Sequence, residues 1–171
     1  MSELNHLNQL SVVSNQLSVS VVGWSMNELK ELGDRLLVIF DGHCGFCNGT
    51  VRWFLRRDRQ DRLRFVPSEA PKVSELLARH GLGESGFGPD TVVIVRGAGS
   101  ADERVFTRSD AATEMLRELP QPWRGVGVVL GWIPRGVRDI GYRLVARWRY
   151  RIWGRLESCP LPTAAERARF L

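Results

Sequence analysis

Seven consecutive residues, Asp41-Gly42-His43-Cys44-Gly45-Phe46-Cys47, constrain this chain more than any other stretch. They follow Leu36-Leu37-Val38-Ile39-Phe40, an unbroken apolar run of strand length, which predicts a fully buried strand. They precede Thr50, Val51, Phe54 and Leu55 at helical spacing, with Arg52, Arg56 and Arg57 on other faces. Two cysteines therefore stand where a buried strand hands over to a helix. A helix start presents unpaired backbone N–H groups and a partial positive charge, and both stabilise a thiolate. The spacing predicts Cys44 at the helix mouth, accessible and acidified. Cys47 shares a face with Val51 and Phe54 and is predicted to point inward, half-buried. An exposed attacking thiol backed by a resolving thiol is the division of labour that thiol–disulfide exchange requires.

Zinc ligands use the same cysteine spacing, but an all-cysteine site requires a second C-x-x-C, and the chain has none. His6, His43, His80 and Cys159 are scattered without a ligand pattern. Metal is the weaker alternative, and the chemistry needs no cofactor. Asp41, at a strand end beside glycine, is suited to accept backbone N–H bonds that tie down the following loop. A proton-accepting role during disulfide resolution is the alternative. His43, if protonated, would lower the pKa of Cys44, although a lone loop histidine is more often simply solvated. Phe46 is expected to pack and shape the mouth.

The run from Val38 to Asn48 resembles the signature of the DCC family, named for its Asp-Cys-Cys motif. These are thioredoxin-like proteins described as thiol–disulfide oxidoreductases. The resemblance continues through Arg56-Arg57-Asp58, Arg64-Phe65, Thr107-Arg108-Ser109-Asp110-Ala111, Arg149-Tyr150-Arg151 and Cys159-Pro160-Leu161-Pro162. It covers roughly Arg35 to the C-terminus. It implies exchange of electrons between a Cys44–Cys47 dithiol and a substrate disulfide, and it marks Asp41 as site-forming together with Gly42, His43 and Phe46. Arg151 and Cys159 fall in matching segments and are candidate supporting residues, Cys159 more as a packed thiol than a redox partner. The implied partners are a disulfide-bearing protein or small thiol substrate and an external electron donor.

The chain's 171 residues fit one domain, and 43% hydrophobic with 25% charged residues is ordinary for a globular protein. The net charge of +5 comes almost wholly from arginine, since Lys30 and Lys72 are the only lysines. Three cysteines are too few, and odd in number, for a disulfide scaffold. No apolar run approaches membrane-spanning length and no signal-peptide pattern opens the chain, so a cytoplasmic location is expected. Residues 1–25 differ in composition: Asn8-Gln9-Leu10-Ser11-Val12-Val13-Ser14 is nearly repeated as Asn15-Gln16-Leu17-Ser18-Val19-Ser20-Val21. A disordered leader over 1–25, with Met26 as a natural start, is expected ahead of a thioredoxin-like domain over 34–171.

Downstream, Leu63-Arg64-Phe65-Val66 predicts a second strand, and Ser68 is a candidate cap for a helix carrying Val73, Leu76 and Leu77. His80 near its end suits a dipole partner better than a catalyst. Thr91–Val95 and Arg104–Thr107 predict an antiparallel hairpin, and Thr107 or Ser109 a helix cap ahead of Ala112, Met115, Leu116 and Leu119. Pro89 lies near where thioredoxin folds carry a cis-proline, but Asp90 intervenes and it is read as a loop proline. The order predicts an α/β thioredoxin-like sandwich with a mixed sheet of about four strands, plus C-terminal helices over about 122–155. Across Gly136–Ile152, Val137, Ile140, Leu144, Trp148 and Ile152 form an apolar stripe among many arginines. The stripe is expected to pack inward with the arginines solvated, except Arg151, which falls near the stripe and would need a partner. Contact of this basic helix with an anionic membrane surface, or with a partner as a non-catalytic module, is the alternative and is not expected. No nucleic-acid-binding motif accompanies the charge, so nucleic acid is not a predicted partner.

Overall fold

Leu36–Phe40 forms the inner strand β1, buried at all five residues, in the computed structural model, which describes residues 29–82, 92–156, 163–164 and 166–171. It is followed by α1 (Gly45–Arg57), β2 (Leu63–Pro67), α2 (Pro71–Arg79), β3 (Val93–Arg96), β4 (Arg104–Thr107), α3 (Arg108–Glu118), α4 (Trp123–Trp132) and α5 (Arg135–Trp153). A single 3-10 turn, Arg167–Arg169, lies near the C-terminus. The sheet order is β2-β1-β3-β4, with β1 parallel to β2 and antiparallel to β3, and β3 antiparallel to β4. This is the thioredoxin-like sandwich with added C-terminal helices that the sequence predicts.

Strand periodicity splits the core in two. Leu36, Val38 and Phe40 face one side with Val51, Phe54 and Leu55 of α1 and Ala111 and Met115 of α3. Leu37 and Ile39 face the other with Val73, Leu76 and Leu77 of α2, and this cluster reaches upstream to Leu29 and Leu32. The parallel β1–α1–β2 crossover fixes where the dithiol sits, at the C-terminal end of β1 and the start of α1. A buried side chain, Asp58, ends α1 and accepts the Arg62 and Leu63 backbone N–H groups, both at 3.0 Å, which aims the chain into β2.

Two expected caps are otherwise employed. α2 starts at Pro71 behind Ala70, while Ser68 donates to Glu69. Pro71 supplies the fixed φ and absent N–H that a first helical turn tolerates, so no side-chain cap is required. α3 starts behind Thr107 without a side-chain cap bond, and Ser109 is buried inside it, donating to Asp139. His80 is the C-cap of α2 and its ring pairs with Glu103. Residues 1–25, Met26, Pro89 and Cys159 lie outside the described residues.

The largest departure is the phase of α5. The apolar stripe faces outward: Val137, Ile140, Leu144 and Ile152 are each about 60% exposed and Trp148 is 43% exposed. The face turned to the domain carries Arg138, Tyr142, Ala146 and Arg149, of which Ala146 and Arg149 are buried. Arg138 donates to Asp110 at 2.7 Å and to Thr113 at 3.0 Å, and the Tyr142 hydroxyl accepts from the Val92 N–H at 3.0 Å. Paired charges and hydrogen bonds therefore seat α5 on α3. A hydrophobicity pattern cannot register that kind of contact, which is why the inward stripe was the natural expectation and is incorrect.

Candidate active site

Cys44 is the N-cap of α1, and its Sγ accepts the Cys47 backbone N–H at 3.2 Å. A sulfur held there faces the positive end of the helix. The loop before it is tied at several points. Asp41 Oδ1 accepts the His43 N–H at 2.9 Å, and Asn48 Nδ2 donates to the Gly42 carbonyl at 2.7 Å and the Cys44 carbonyl at 3.0 Å. Asp41 thus performs the expected loop-tying with one carboxylate oxygen.

Its other oxygen does something the sequence did not reveal. Asp41 Oδ2 accepts from Arg149 Nη2 at 3.1 Å and from the Tyr150 hydroxyl, while Arg149 Nη2 also donates to that hydroxyl at 2.9 Å. Arg149 Nη1 reaches Cys47 Sγ at 3.4 Å. Burial alone would lower the Arg149 pKa, but the Tyr150 hydrogen bond and the nearby thiols outweigh it and the net direction is upward, so the group stays cationic. Burial likewise pushes the Tyr150 phenol up, reinforced by its bond to Asp41. The Cys47 thiol is pushed far up, chiefly by burial and then by its hydrogen bond to Cys44, against an opposing pull from Arg149. One sulfur is placed as an acceptor and the other is held protonated. That asymmetry is what exchange chemistry uses.

Cys47 is half-buried as expected, but Cys44 is not accessible: it is fully buried. The cover comes from the residues after α5. Cys44 forms an isolated antiparallel bridge with Arg155, and the Leu156 N–H donates to the His43 carbonyl at 2.8 Å. His43 Nδ1 lies 3.3 Å from the Leu156 carbonyl, so the histidine faces this strap and not the thiol. Phe46 packs on Trp153, ring centroids 4.8 Å apart, as part of the same cover. Gly45 is required here: a Cβ at this position would stand 2.6 Å from the Trp153 carbonyl oxygen. Local sequence around the cysteines contains no trace of a strap from so far downstream.

Cys47 opens instead into a mostly apolar cavity of about 460 Å³ between α1, α3 and the α4–α5 pair. Asp41, Cys47 and Arg149 are among its polar lining, and Val137, Gly141 and Val145 of α5 are among its apolar lining. Arg151, the expected buried arginine, is exposed and lies over Trp148 at 5.5 Å; the buried one is Arg149, two residues earlier. Arg149, Tyr150 and Asn48 are thus site residues that lie in segments the family resemblance covers but that the sequence reading did not single out. The signal was present in the set Arg138, Tyr142, Ala146 and Arg149, which shares one helical face.

Fold and site together define a thioredoxin-like protein with a helix-capping dithiol. The pattern of the DCC1-like thiol-disulfide oxidoreductase family matches residues 38–155, and the chain belongs to that family. It is similar to the uncharacterized protein YuxK of Bacillus subtilis, 33% identical over 142 residues, covering 83% of this chain and 97% of that one. It is also similar to a chloroplastic DCC family protein of Arabidopsis thaliana, 30% identical over 160 residues, covering 90% of this chain and 87% of that one. No solved structure matches it.

Proposed function

We propose that the protein is an enzyme that exchanges electrons between its Cys44–Cys47 dithiol and a substrate disulfide, on a protein or a small thiol compound, in a reducing compartment such as the cytoplasm. The observation that carries this is the Cys44 Sγ accepting the Cys47 N–H at the start of α1, beside a Cys47 thiol in contact with Arg149. The Cys44 thiolate attacks one substrate sulfur, forming a mixed disulfide and expelling the other sulfur as a thiolate. Once Cys44 is in that bond, its hydrogen bond and charge no longer hold the Cys47 proton; burial still opposes ionisation, and Arg149 still favours it. Cys47 then yields its proton to the departing thiolate and attacks Cys44, leaving the Cys44–Cys47 disulfide and a reduced substrate. An external thiol donor regenerates the dithiol. For a bulky disulfide to reach Cys44, the Arg155–Leu156 strap must lift.

The test uses the purified reduced chain and 2-hydroxyethyl disulfide. Wild type should end as the intramolecular disulfide, and Cys47→Ser should stop at a mixed disulfide on Cys44, both read by intact mass. Cys44→Ser should form no persistent adduct at Cys47. If Cys47→Ser acquires no adduct and wild type no internal disulfide, the proposal is wrong.

A further inference from the structure

We propose that the outward face of α4 and α5 docks on an anionic lipid surface. Among the described residues, every exposed large apolar side chain lies between Val126 and Trp153, except Leu171. An apolar surface so concentrated on one side marks an interaction site, whereas scattered exposed apolar residues would need no explanation. On α5, at about 100° per residue, Ile140, Leu144, Val137, Trp148 and Ile152 occupy one sector of roughly 120°. Arg143 and Arg147 flank its edge, and Arg151 lies within it with its guanidinium over Trp148. An arginine so placed can bury its stem among apolar groups and keep its charge at a phosphate level.

Charge selects the occupant. The sequence of α5 holds six arginines against the single acid Asp139. Arg135 and Arg138 pair with Asp110, and Arg149 pairs with Asp41. Arg143, Arg147 and Arg151 are exposed and form no ion pair among the described residues. A second copy of this face would set these cations against their own kind. Anionic headgroups would neutralise them while the interfacial region received the apolar sector, and Trp132, which is 79% exposed, is a residue type that favours that boundary. Among the described residues no helix is long and apolar enough to cross a membrane, so the face would lie on the surface. Val137 and Val145 belong both to this face and to the lining of the cavity that Cys47 enters. The proposal does not depend on the thiol chemistry.

The experiment is co-sedimentation of the full-length purified chain with vesicles of phosphatidylcholine carrying about one-third phosphatidylglycerol, against pure phosphatidylcholine. Binding to the anionic vesicles alone, lost at high salt, is expected. The Arg143→Gln/Arg147→Gln/Arg151→Gln variant should bind on the order of a hundredfold more weakly, at about tenfold per 1.4 kcal/mol and roughly 1 kcal/mol for each basic residue near the surface. Leu144→Asp should also lose binding while its mixed-disulfide chemistry stays at wild-type level. No binding at low salt, equal binding to neutral vesicles, or unchanged binding of the triple variant would each overturn the proposal. So would a lipid-free dimer whose formation Leu144→Asp abolishes.

Discussion

Arg149 joins the resolving thiol to the motif aspartate: one guanidinium nitrogen lies 3.4 Å from Cys47 Sγ and another 3.1 Å from Asp41 Oδ2. The connection spans 108 residues of sequence and is buried, so the carboxylate, the phenol of Tyr150 and the thiol form one unit. Removing one partner of a buried pair leaves the other charge uncompensated. Arg149→Leu is therefore expected to cost about 3–5 kcal/mol of stability. The double variant Asp41→Asn/Arg149→Leu should cost less than the sum of the two single changes, because neither leaves a bare charge. Chemical denaturation of the four proteins checks this, and additive losses would show that the pair is not coupled.

Gly45→Ala tests the strap. Its methyl carbon would meet the Trp153 carbonyl at 2.6 Å, and that carbonyl is backbone, which yields only by moving the segment. A destabilisation of about 1–3 kcal/mol is expected from overpacking. The more informative readout is alkylation of Cys44, which should accelerate as the strap is displaced. A slower or unchanged rate, in a variant that still folds, would show that Arg155 and Leu156 do not control access.

The pH dependence of stability carries a signature of Cys47. Its folded-state pKa is raised above the unfolded value, chiefly by burial. The stabilisation linked to that proton is thus complete below the unfolded thiol pKa of about 8.5 and is lost as pH rises above it. Unfolding free energy should fall above this point with a slope of at most about 1.4 kcal/mol per pH unit from this group. Cys47→Ala should show a shallower alkaline decline than wild type. Parallel curves would mean that the thiol is not held protonated by the fold.

Ile140→Asp and Leu144→Asp separate the two orientations of α5. With both side chains about 60% exposed, each substitution should change stability by no more than about 0.5 kcal/mol. Turned inward, the same changes would bury an unpaired carboxylate and cost several kcal/mol. Thermal melts of the two variants distinguish these outcomes directly.

Much of the fold was legible because its signals are local. Leu36–Phe40, the helix beginning at the cysteines and the Arg104–Thr107 strand all rest on neighbouring residues. The backbone bond that Asp41 accepts from His43 is equally local. The failures share a different cause. Cys44 is buried by Arg155, and the α5 phase is set by Arg138 meeting Asp110 and Arg149 meeting Asp41. Each is a polar contact between distant segments, and periodicity counts only apolar residues. Choosing Arg151 over Arg149 followed from that phase error.

The strap also has a consequence in time. His43 and Leu156, which close it, are 113 residues apart, and the dithiol lies at the upstream end. A ribosome adding about 5–20 residues per second leaves roughly 5–20 seconds between synthesis of Cys44 and of the segment that covers it. Throughout that interval β1, α1 and β2 can assemble from contiguous sequence while both thiols remain open to whatever oxidant is nearby. The age of the chain, and not only its redox surroundings, therefore sets when Cys44 is first shielded.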